Sequence, residues 1–178
     1  MQSEKTYDEW LIYKVRTGET KAFGMLAERW YPKLMRHICF LVRNDEVAKD
    51  IAQDTWSIVI RKLHTLKEPV YFKMWIFRIA SNKSADWIKR EQKTRIVKDE
   101  IKKTESTYIL ENDDENNDIE KLRVAMKRLS DNEQHILNLF YTESCNIREI
   151  SKILTIPTGT VKSRLFKARE HLKDIINT

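Results

Sequence analysis

Residues that break helices are scarce in this chain of 178 residues, which contains only three glycines and three prolines. No run of alternating apolar and polar residues bounded by turn-forming residues occurs, so the pattern of half-buried β-strands is missing. Hydrophobic residues make up 41% of the chain and charged residues 34%. The sequence therefore predicts an all-α fold with an adequate core and a densely charged surface.

Cysteine and long apolar runs are also nearly absent. Cys39 and Cys145 stand far apart, which gives neither a disulfide framework nor the spacing of a zinc site. We expect two buried thiols in a reducing compartment. No apolar run approaches membrane-spanning length and the N-terminal MQSEKTYDEW is polar, so we expect no membrane insertion, no signal peptide and a cytoplasmic location.

The sequence also lacks a cluster of residues typical of a catalytic site. No histidine stands at a catalytic spacing from a nucleophile or carboxylate, and no phosphate-binding glycine loop occurs. The four histidines are His37, His64, His135 and His171. Three carboxylates spaced at i, i+4 and i+8 (Glu46, Asp50 and Asp54) could be read as metal ligands, but no histidine or further acid converges on them. We therefore expect no enzyme, no metal and no cofactor.

The charges that are present fall into three blocks. Residues 1–90 carry 17 Lys and Arg against 11 Asp and Glu, residues 91–120 carry 5 against 10, and residues 121–178 carry 11 against 6. Basic blocks suit a polyanion such as nucleic acid, although a solvated surface explains the same excess equally well. The acidic block lacks helical periodicity, so we interpret residues 93–118 as a flexible linker between helical domains at 1–92 and 119–178.

Two helices of the first domain carry unusual surfaces. The helix predicted over 44–63 presents an acidic strip suited to a basic partner. The strip consists of Glu46, Asp50 and Asp54, with Gln53 and Trp56 beside it. In the helix predicted from about Val70 to Arg90, aromatic residues alternate with cations. Core packing with snorkelling cations explains each aromatic singly, but together they suit unstacked single-stranded nucleic acid.

The second domain has the pattern of a helix-turn-helix. Ser130 and Glu133 have capping-box spacing, and the helix NIREISKIL, the turn TIPTG and a longer helix follow. One stripe of the longer helix is apolar, namely Val161, Leu165, Ala168 and Leu172. The opposite side carries Lys162, Ser163, Phe166 and Lys167, flanked by Arg164 and Arg169. A solvated face has no use for a large exposed aromatic, so we expect this side to contact a partner.

Three segments in order resemble bacterial RNA polymerase sigma factors of the extracytoplasmic-function group of the sigma-70 family. DIAQDTW (50–56) resembles the polymerase-binding segment of that family, and FKMWIFRIASNKSADWIKRE (72–91) resembles its promoter-melting helix. LSDNEQHILNLFY followed by IREISKILTIPTGTVKSRLFKAREHL is similar to its C-terminal promoter-binding domain. The family often has glycine in the turn of this last motif, where this chain has Thr155.

The resemblance implies a transcription initiation factor in which both domains bind core RNA polymerase and promoter DNA. Polymerase contacts would come from Glu46, Asp50, Gln53, Asp54 and Trp56. The minus-ten element would be read and opened by His64, Thr65, Leu66, Lys67, Lys73, Trp75, Arg78, Asn82, Lys83 and Arg90. The minus-thirty-five element would be contacted in its major groove by Arg148, Thr160, Lys162, Ser163, Arg164, Phe166, Lys167 and Arg169. Whether an anti-sigma factor restrains the protein stays open.

Two alternatives come from other functional classes. A stand-alone helix-turn-helix regulator would bind operators as a dimer, but it needs an uncommitted apolar helix and has no use for the acidic strip around Asp50. An enzyme acting on nucleic acid would need a catalytic cluster. A regulator would bind DNA alone, whereas a sigma factor should require core polymerase, so a binding assay with and without polymerase separates the two.

Overall fold

Helices account for every regular element that the computed structural model describes, which covers residues 2–99 and 117–177. The all-α prediction is confirmed, since no strand occurs within those ranges. The first part contains α1 (Gln2–Arg16), α2 (Thr20–Val42), α3 (Asp45–Lys62) and α4 (Phe72–Asp99). The second contains α5 (Asn117–Arg128), α6 (Asp131–Leu137), a π-helical turn (Asn138–Thr142), α7 (Ile147–Leu154) and α8 (Thr158–Asn177).

The first four helices enclose one core. Buried residues recur every three or four positions along α2, which places them on a single face. They are Ala22, Leu26, Trp30, Leu34, Ile38 and Val42, with the polar His37 buried beside them. The chain leaves α2 through Arg43 in the left-handed conformation, and the Asn44 side chain then accepts a hydrogen bond from the Val47 N–H at 3.0 Å. This N-cap sets where α3 begins, and its buried stripe of Ala48, Ile51, Ala52, Thr55 and Val59 sets which face turns outward.

Two capping boxes organise the second unit. The predicted one is confirmed, because Ser130 accepts from the Glu133 N–H while the Glu133 carboxylate accepts from the Ser130 N–H at 2.9 Å. Asn146 and Glu149 make the same reciprocal pair at the start of α7. These caps set the short helices α6 and α7 at defined angles, so that both can pack against α8.

The two units pack directly on each other. The α4 helix packs against α7, and α2 contributes side chains to the same interface. The predicted linker at 93–118 lies largely outside the described residues, within which α4 continues to Asp99 and α5 begins at Asn117. The candidate surfaces therefore belong to a folded body in which the two basic blocks adjoin.

Candidate nucleic-acid and protein interfaces

The exposed face of α3 carries the acidic strip. Glu46, Asp50, Gln53 and Asp54 are all exposed, while the stripe through Ala48, Ile51, Ala52, Thr55 and Val59 is buried. Lys49 Nζ lies 2.7 Å from a Glu46 carboxylate oxygen, and Lys83 Nζ of α4 lies 2.9 Å from Asp54 Oδ2. Asp50 and Gln53 stand at the centre of the strip, between these two ion pairs.

Trp56 does not lie on that face, contrary to the prediction. Its side chain is only 9% exposed, and its ring meets Phe23 of α2 edge to face with centroids 5.8 Å apart. Trp56 follows Ala52 by four residues, so it shares the buried stripe of the helix. Burying so large an aromatic surface stabilises the α2–α3 packing, and the side chain supports the strip from beneath.

The loop between α3 and α4 is fixed by a buried side chain and by hydrogen bonds from α1. His64, Thr65 and Lys67 are exposed as predicted for DNA contact, but Leu66 is only 8% exposed and anchors the loop in the core. The resemblance implied that Leu66 contacts the minus-ten element, but its side chain is buried and is not offered to DNA here, because an apolar side chain in a short loop gains more from burial. The Arg16 guanidinium at the end of α1 donates to the carbonyls of Leu66 and Leu63, the latter at 3.4 Å.

Arg16 is a supporting residue that the sequence did not single out. The only signal for it was a basic residue in the last turn of α1, and such a residue ordinarily caps its own helix. Here it reaches across nearly fifty residues of sequence and fixes two backbone carbonyls of the loop. The exposed side chains of the loop therefore project from a backbone that these hydrogen bonds hold in place. We call His64–Lys67 the braced loop.

The helix α4 presents its predicted site residues in two environments. Arg78, Asn82 and Arg90 are exposed, whereas Trp75 is half-buried, with its ring 6.2 Å from Phe72. Lys73 is also half-buried, and its ammonium donates to the Ser144 carbonyl of the second unit at 3.0 Å. One side of α4 is thus open to solvent and another is covered by the second unit.

The helix-turn-helix is formed by α7 and α8. Val161, Leu165 and Ala168 are buried and Leu172 is half-buried, as the apolar stripe predicts. Phe166 on the opposite side is 65% exposed. Its predicted neighbours Arg148, Lys162, Ser163, Arg164 and Lys167 are exposed, and Thr160 is half-buried. This arrangement leaves a cationic face around one bare aromatic ring.

Thr155 makes the turn of this motif in the left-handed conformation, with φ of 56°. The Ser151 hydroxyl donates to the Ile156 carbonyl at 2.6 Å and the Ile156 N–H returns to the Ser151 carbonyl at 3.1 Å. A β-branched residue is strained at positive φ, so these two hydrogen bonds hold the turn where glycine would adopt it freely.

Arg169 is engaged within the second unit. Its guanidinium lies over the rings of Phe140 and Tyr141, at 5.1 Å and 5.5 Å from the centroids. Such contacts orient an arginine and stabilise local packing. The predicted DNA contact of Arg169 stays a prediction, and the observed contact gives this residue a structural role beside it.

Two further kinds of site are not found among the residues that the structure describes. Within 2–99 and 117–177, no three His, Cys, Asp or Glu side chains come together as metal ligands. A search of the same ranges finds no helix with the length and apolarity needed to cross a membrane. The predicted site residues that are exposed lie on three surfaces, namely the acidic strip on α3, the loop before α4 together with α4, and the cationic face of α8.

Comparison with known proteins matches both units. Residues 26–94 match the family model described as sigma-70 region 2, and residues 119–172 match that of sigma-70 region 4. The chain is 27% identical to the RNA polymerase sigma-H factor of Pseudomonas aeruginosa, over 92% of this chain and 90% of that protein. It is 27% identical to the ECF RNA polymerase sigma-E factor of Escherichia coli, over 94% and 93% respectively.

Two solved structures share the fold. The sigma factor RpoE from Bartonella quintana, in complex with the anti-sigma factor NepR, aligns with a TM-score of 0.74 at 21% identity, covering 89% of this chain and 99% of that one. CnrH in complex with the cytosolic domain of CnrY aligns with a TM-score of 0.70 at 19% identity, covering 96% and 97%.

Proposed function

The chain belongs to the sigma-70 family, in its extracytoplasmic-function group, and from this premise we propose which surfaces bind polymerase and which read the promoter. The protein directs core RNA polymerase to promoters as an initiation factor. We propose that the protein acts in the cytoplasm, without membrane insertion. The polymerase, and not this protein, catalyses RNA synthesis.

The acidic strip on α3 is the proposed polymerase contact. Glu46, Asp50, Gln53 and Asp54 present oxygen acceptors on an outward face whose backbone is fixed by the Asn44 cap. A rigid row of carboxylates complements a basic surface and steers its approach. Trp56 contributes from the core by holding α3 against α2.

The braced loop and the exposed side of α4 are the proposed minus-ten surface. His64, Thr65 and Lys67 project from a loop that Arg16 holds, which is the rigidity needed to grip one unstacked base. Arg78, Asn82 and Arg90 then follow along α4 to meet the backbone of the opened strand. Trp75, near the start of α4, is half-buried and completes this proposed surface.

The cationic face of α8 is the proposed minus-thirty-five surface, and it supplies the observation that carries the proposal. Phe166 is 65% exposed among Lys162, Ser163 and Lys167, on a helix whose other side is the core of a helix-turn-helix. In a major groove the cations meet phosphates and base edges, while an aromatic edge meets sugars or thymine methyl groups. An anti-sigma factor completes the proposed partners, since the sigma factor RpoE from Bartonella quintana, which shares this fold, is in complex with one.

A promoter mobility-shift assay tests the proposal. The full chain is added to labelled promoter fragments with and without core RNA polymerase. The proposal predicts a sequence-specific shift that requires both components. A specific shift by the chain alone would favour the stand-alone regulator, and no shift under either condition would refute promoter recognition.

A further inference from the structure

A cavity of about 550 Å³ lies in the second unit, among α5, α6, the π-helical turn and α8, and Phe40 of α2 also lines it. Most of its wall is apolar. The apolar residues of the second unit that line it are Leu122, Met126, Leu137, Tyr141, Leu172 and Ile176. Leu122 and Ile176 are each 44% exposed and Tyr141 is 61% exposed. Single exposed apolar residues are ordinary on a protein surface, but three of them around one cavity indicate a binding site.

One wall of the cavity is made by the π-helical turn Asn138–Thr142. The Glu143 N–H donates to the Asn138 carbonyl, five residues earlier, at 3.0 Å, so the chain makes a wider turn here than in an α-helix. Asn138, Tyr141 and Thr142 of this turn line the cavity. Such turns are rare and are found frequently at functional sites. The turn is therefore a second observation that points to a ligand, independent of the apolar lining.

The charged residues that line the cavity are both cations. Arg169 and Lys173 lie one turn apart on α8, on the same side as Leu172 and Ile176. The Arg169 guanidinium is 5.5 Å from the ring centroid of Tyr141, which holds this charge against another lining residue, while Lys173 is exposed. None of the twelve residues that line the cavity is acidic, so its charge complements an anion.

The form of the cavity favours a small molecule. Cavities that hold small ligands measure about 300–1,000 Å³ and are mostly apolar, with a few polar groups that fix the orientation of the ligand. This cavity has that volume and that composition. A docked helix would instead need a groove that accepts anchors at i, i+3, i+4 and i+7, about 10 Å apart from first to last. Here the lining side chains come from five segments of the chain rather than from two parallel walls.

We propose that this cavity binds a small anionic amphiphile, namely an alkyl chain that ends in a carboxylate. The alkyl chain lies against Leu122, Leu172 and Ile176, and the carboxylate accepts hydrogen bonds from Arg169 and Lys173. The site goes beyond the proposed function, because it requires neither polymerase nor DNA. Arg169 is also a predicted contact to the minus-thirty-five element, so an occupied cavity takes one cation from that surface.

Isothermal titration calorimetry of the full chain with decanoate, below its micelle concentration, tests the site. We expect saturation at one decanoate per chain. Octanoate should bind about fifteenfold more weakly, since each buried methylene changes affinity about fourfold. Decanol, which has the same chain without the charge, should bind about fivefold more weakly than decanoate. Uptake of many decanoate molecules without saturation at one would overturn the proposal.

Leu122→Trp should block the cavity. Val124→Trp is the matched control, because Leu122 and Val124 are 44% and 42% exposed on the same helix and only Leu122 lines the cavity. We expect at least a tenfold loss of decanoate affinity for Leu122→Trp and an unchanged affinity for Val124→Trp. Circular dichroism establishes that both proteins are folded. Equal decanoate affinities of the two folded proteins would place the ligand elsewhere and overturn the proposal.

Lys173→Glu tests the charge of the site without altering its apolar wall. Replacing attraction by repulsion should lower decanoate affinity about tenfold and leave decanol affinity nearly unchanged. Lys21→Glu makes the same charge change at an exposed position of α2, about 28 Å along that helix from Phe40 at about 1.5 Å per residue. If both variants lowered decanoate affinity equally, the carboxylate would not be held at Lys173 and the proposal would be wrong.

The titrations separate this proposal from the proposed function, because they contain no polymerase and no promoter. If decanoate failed to bind, the cavity proposal would be wrong while the promoter mobility-shift assay still decided the function. An acidic amphipathic peptide serves as a further probe. Binding of that peptide that is lost in Leu122→Trp, together with no binding of decanoate, would assign the cavity to a protein partner and overturn the small-molecule site.

Discussion

Lys83 Nζ lies 2.9 Å from Asp54 Oδ2, so a cation of the proposed minus-ten surface is paired with a carboxylate of the proposed polymerase strip. The pair joins α4 to α3 at the edge where the two surfaces meet. Asp54 is thereby partly neutralised within the protein, whereas Asp50 lies one turn earlier on the exposed face. The two carboxylates should not contribute equally to polymerase binding.

Asp50→Lys should therefore abolish binding to core polymerase. Reversing a charge at a docked interface costs about 2–5 kcal/mol, which is a loss of affinity of about thirtyfold or more. Asp54→Asn should weaken binding less, because it removes a carboxylate that already has a partner. Affinity for purified core polymerase measures both. Glu28→Lys, an equal charge change on the exposed side of α2, is the control, and equal affinities for Asp50→Lys and Glu28→Lys would remove the strip from the interface.

Trp75→Ala should impair promoter opening more than promoter binding. The residue is half-buried and its ring lies 6.2 Å from that of Phe72, and base–aromatic stacking is worth about 1–3 kcal/mol per base. Permanganate reactivity of minus-ten thymines should drop while affinity for duplex promoter changes little. A purely structural role would instead lower the melting temperature and leave reactivity per folded molecule unchanged.

Phe166→Ala and Lys162→Ala should change which minus-thirty-five sequences are preferred. Contacts to base edges carry about 1–3 kcal/mol of discrimination each, whereas a phosphate contact weakens binding to all sequences alike. Lys167→Ala should behave in the second way and reduce the slope of log affinity against log salt by about one unit. Holoenzyme binding to a library of minus-thirty-five variants at two salt concentrations measures both effects. A preference profile identical to that of the unmodified chain would show that this face does not read sequence.

Leu165→Ala and Arg169→Ala should act on stability. Leu165 is buried, and deleting such a leucine costs about 2–5 kcal/mol, enough to unfold a unit of this size. Arg169→Ala removes the guanidinium from the rings of Phe140 and Tyr141, at a cost of about 0.5–1 kcal/mol. Thermal unfolding followed by circular dichroism checks the order. An Arg169→Ala protein of unchanged stability but weaker DNA binding would instead support its predicted contact with phosphates.

Thr155→Gly should stabilise the second unit. The left-handed conformation costs an L-residue about 1–2 kcal/mol and costs glycine nothing, although glycine gives back part of this in the unfolded chain. The expected gain is about 1 kcal/mol, provided that the Ser151–Ile156 hydrogen bonds persist. Lys173→Gly, in the exposed part of α8, should lose about as much. A lower melting temperature for Thr155→Gly would mean that the threonine side chain supports the turn.

Local rules accounted for the helices and their faces. The capping box at Ser130 and the spacing from Val161 to Leu172 depend on residues a few positions apart, so they could be read directly, as could the exposure of Phe166. The same periodicity places Trp56 on the buried face of α3, whereas the family resemblance implied that it contacts polymerase. The resemblance likewise named Leu66 as a DNA contact, whereas its apolar side chain is buried.

Contacts between distant segments could not be predicted. The brace from Arg16 to the Leu66 carbonyl and the pair between Arg36 and Glu143 join residues 50 and 107 positions apart. Each is one cation among 33 in the sequence, with nothing local to distinguish it. Their partners are defined only by how the helices pack, and the docking of the two units follows from the same long-range geometry.

Run-off transcription with purified core RNA polymerase on genomic promoter fragments tests the assignment of function most directly. With the full chain added, the account predicts transcripts of discrete length from a subset of fragments, lost with Asp50→Lys and retained with Glu28→Lys. The fragments that respond should share sequences at minus ten and minus thirty-five. Specific binding of the chain to those fragments without polymerase, together with no transcript when polymerase is present, would contradict it.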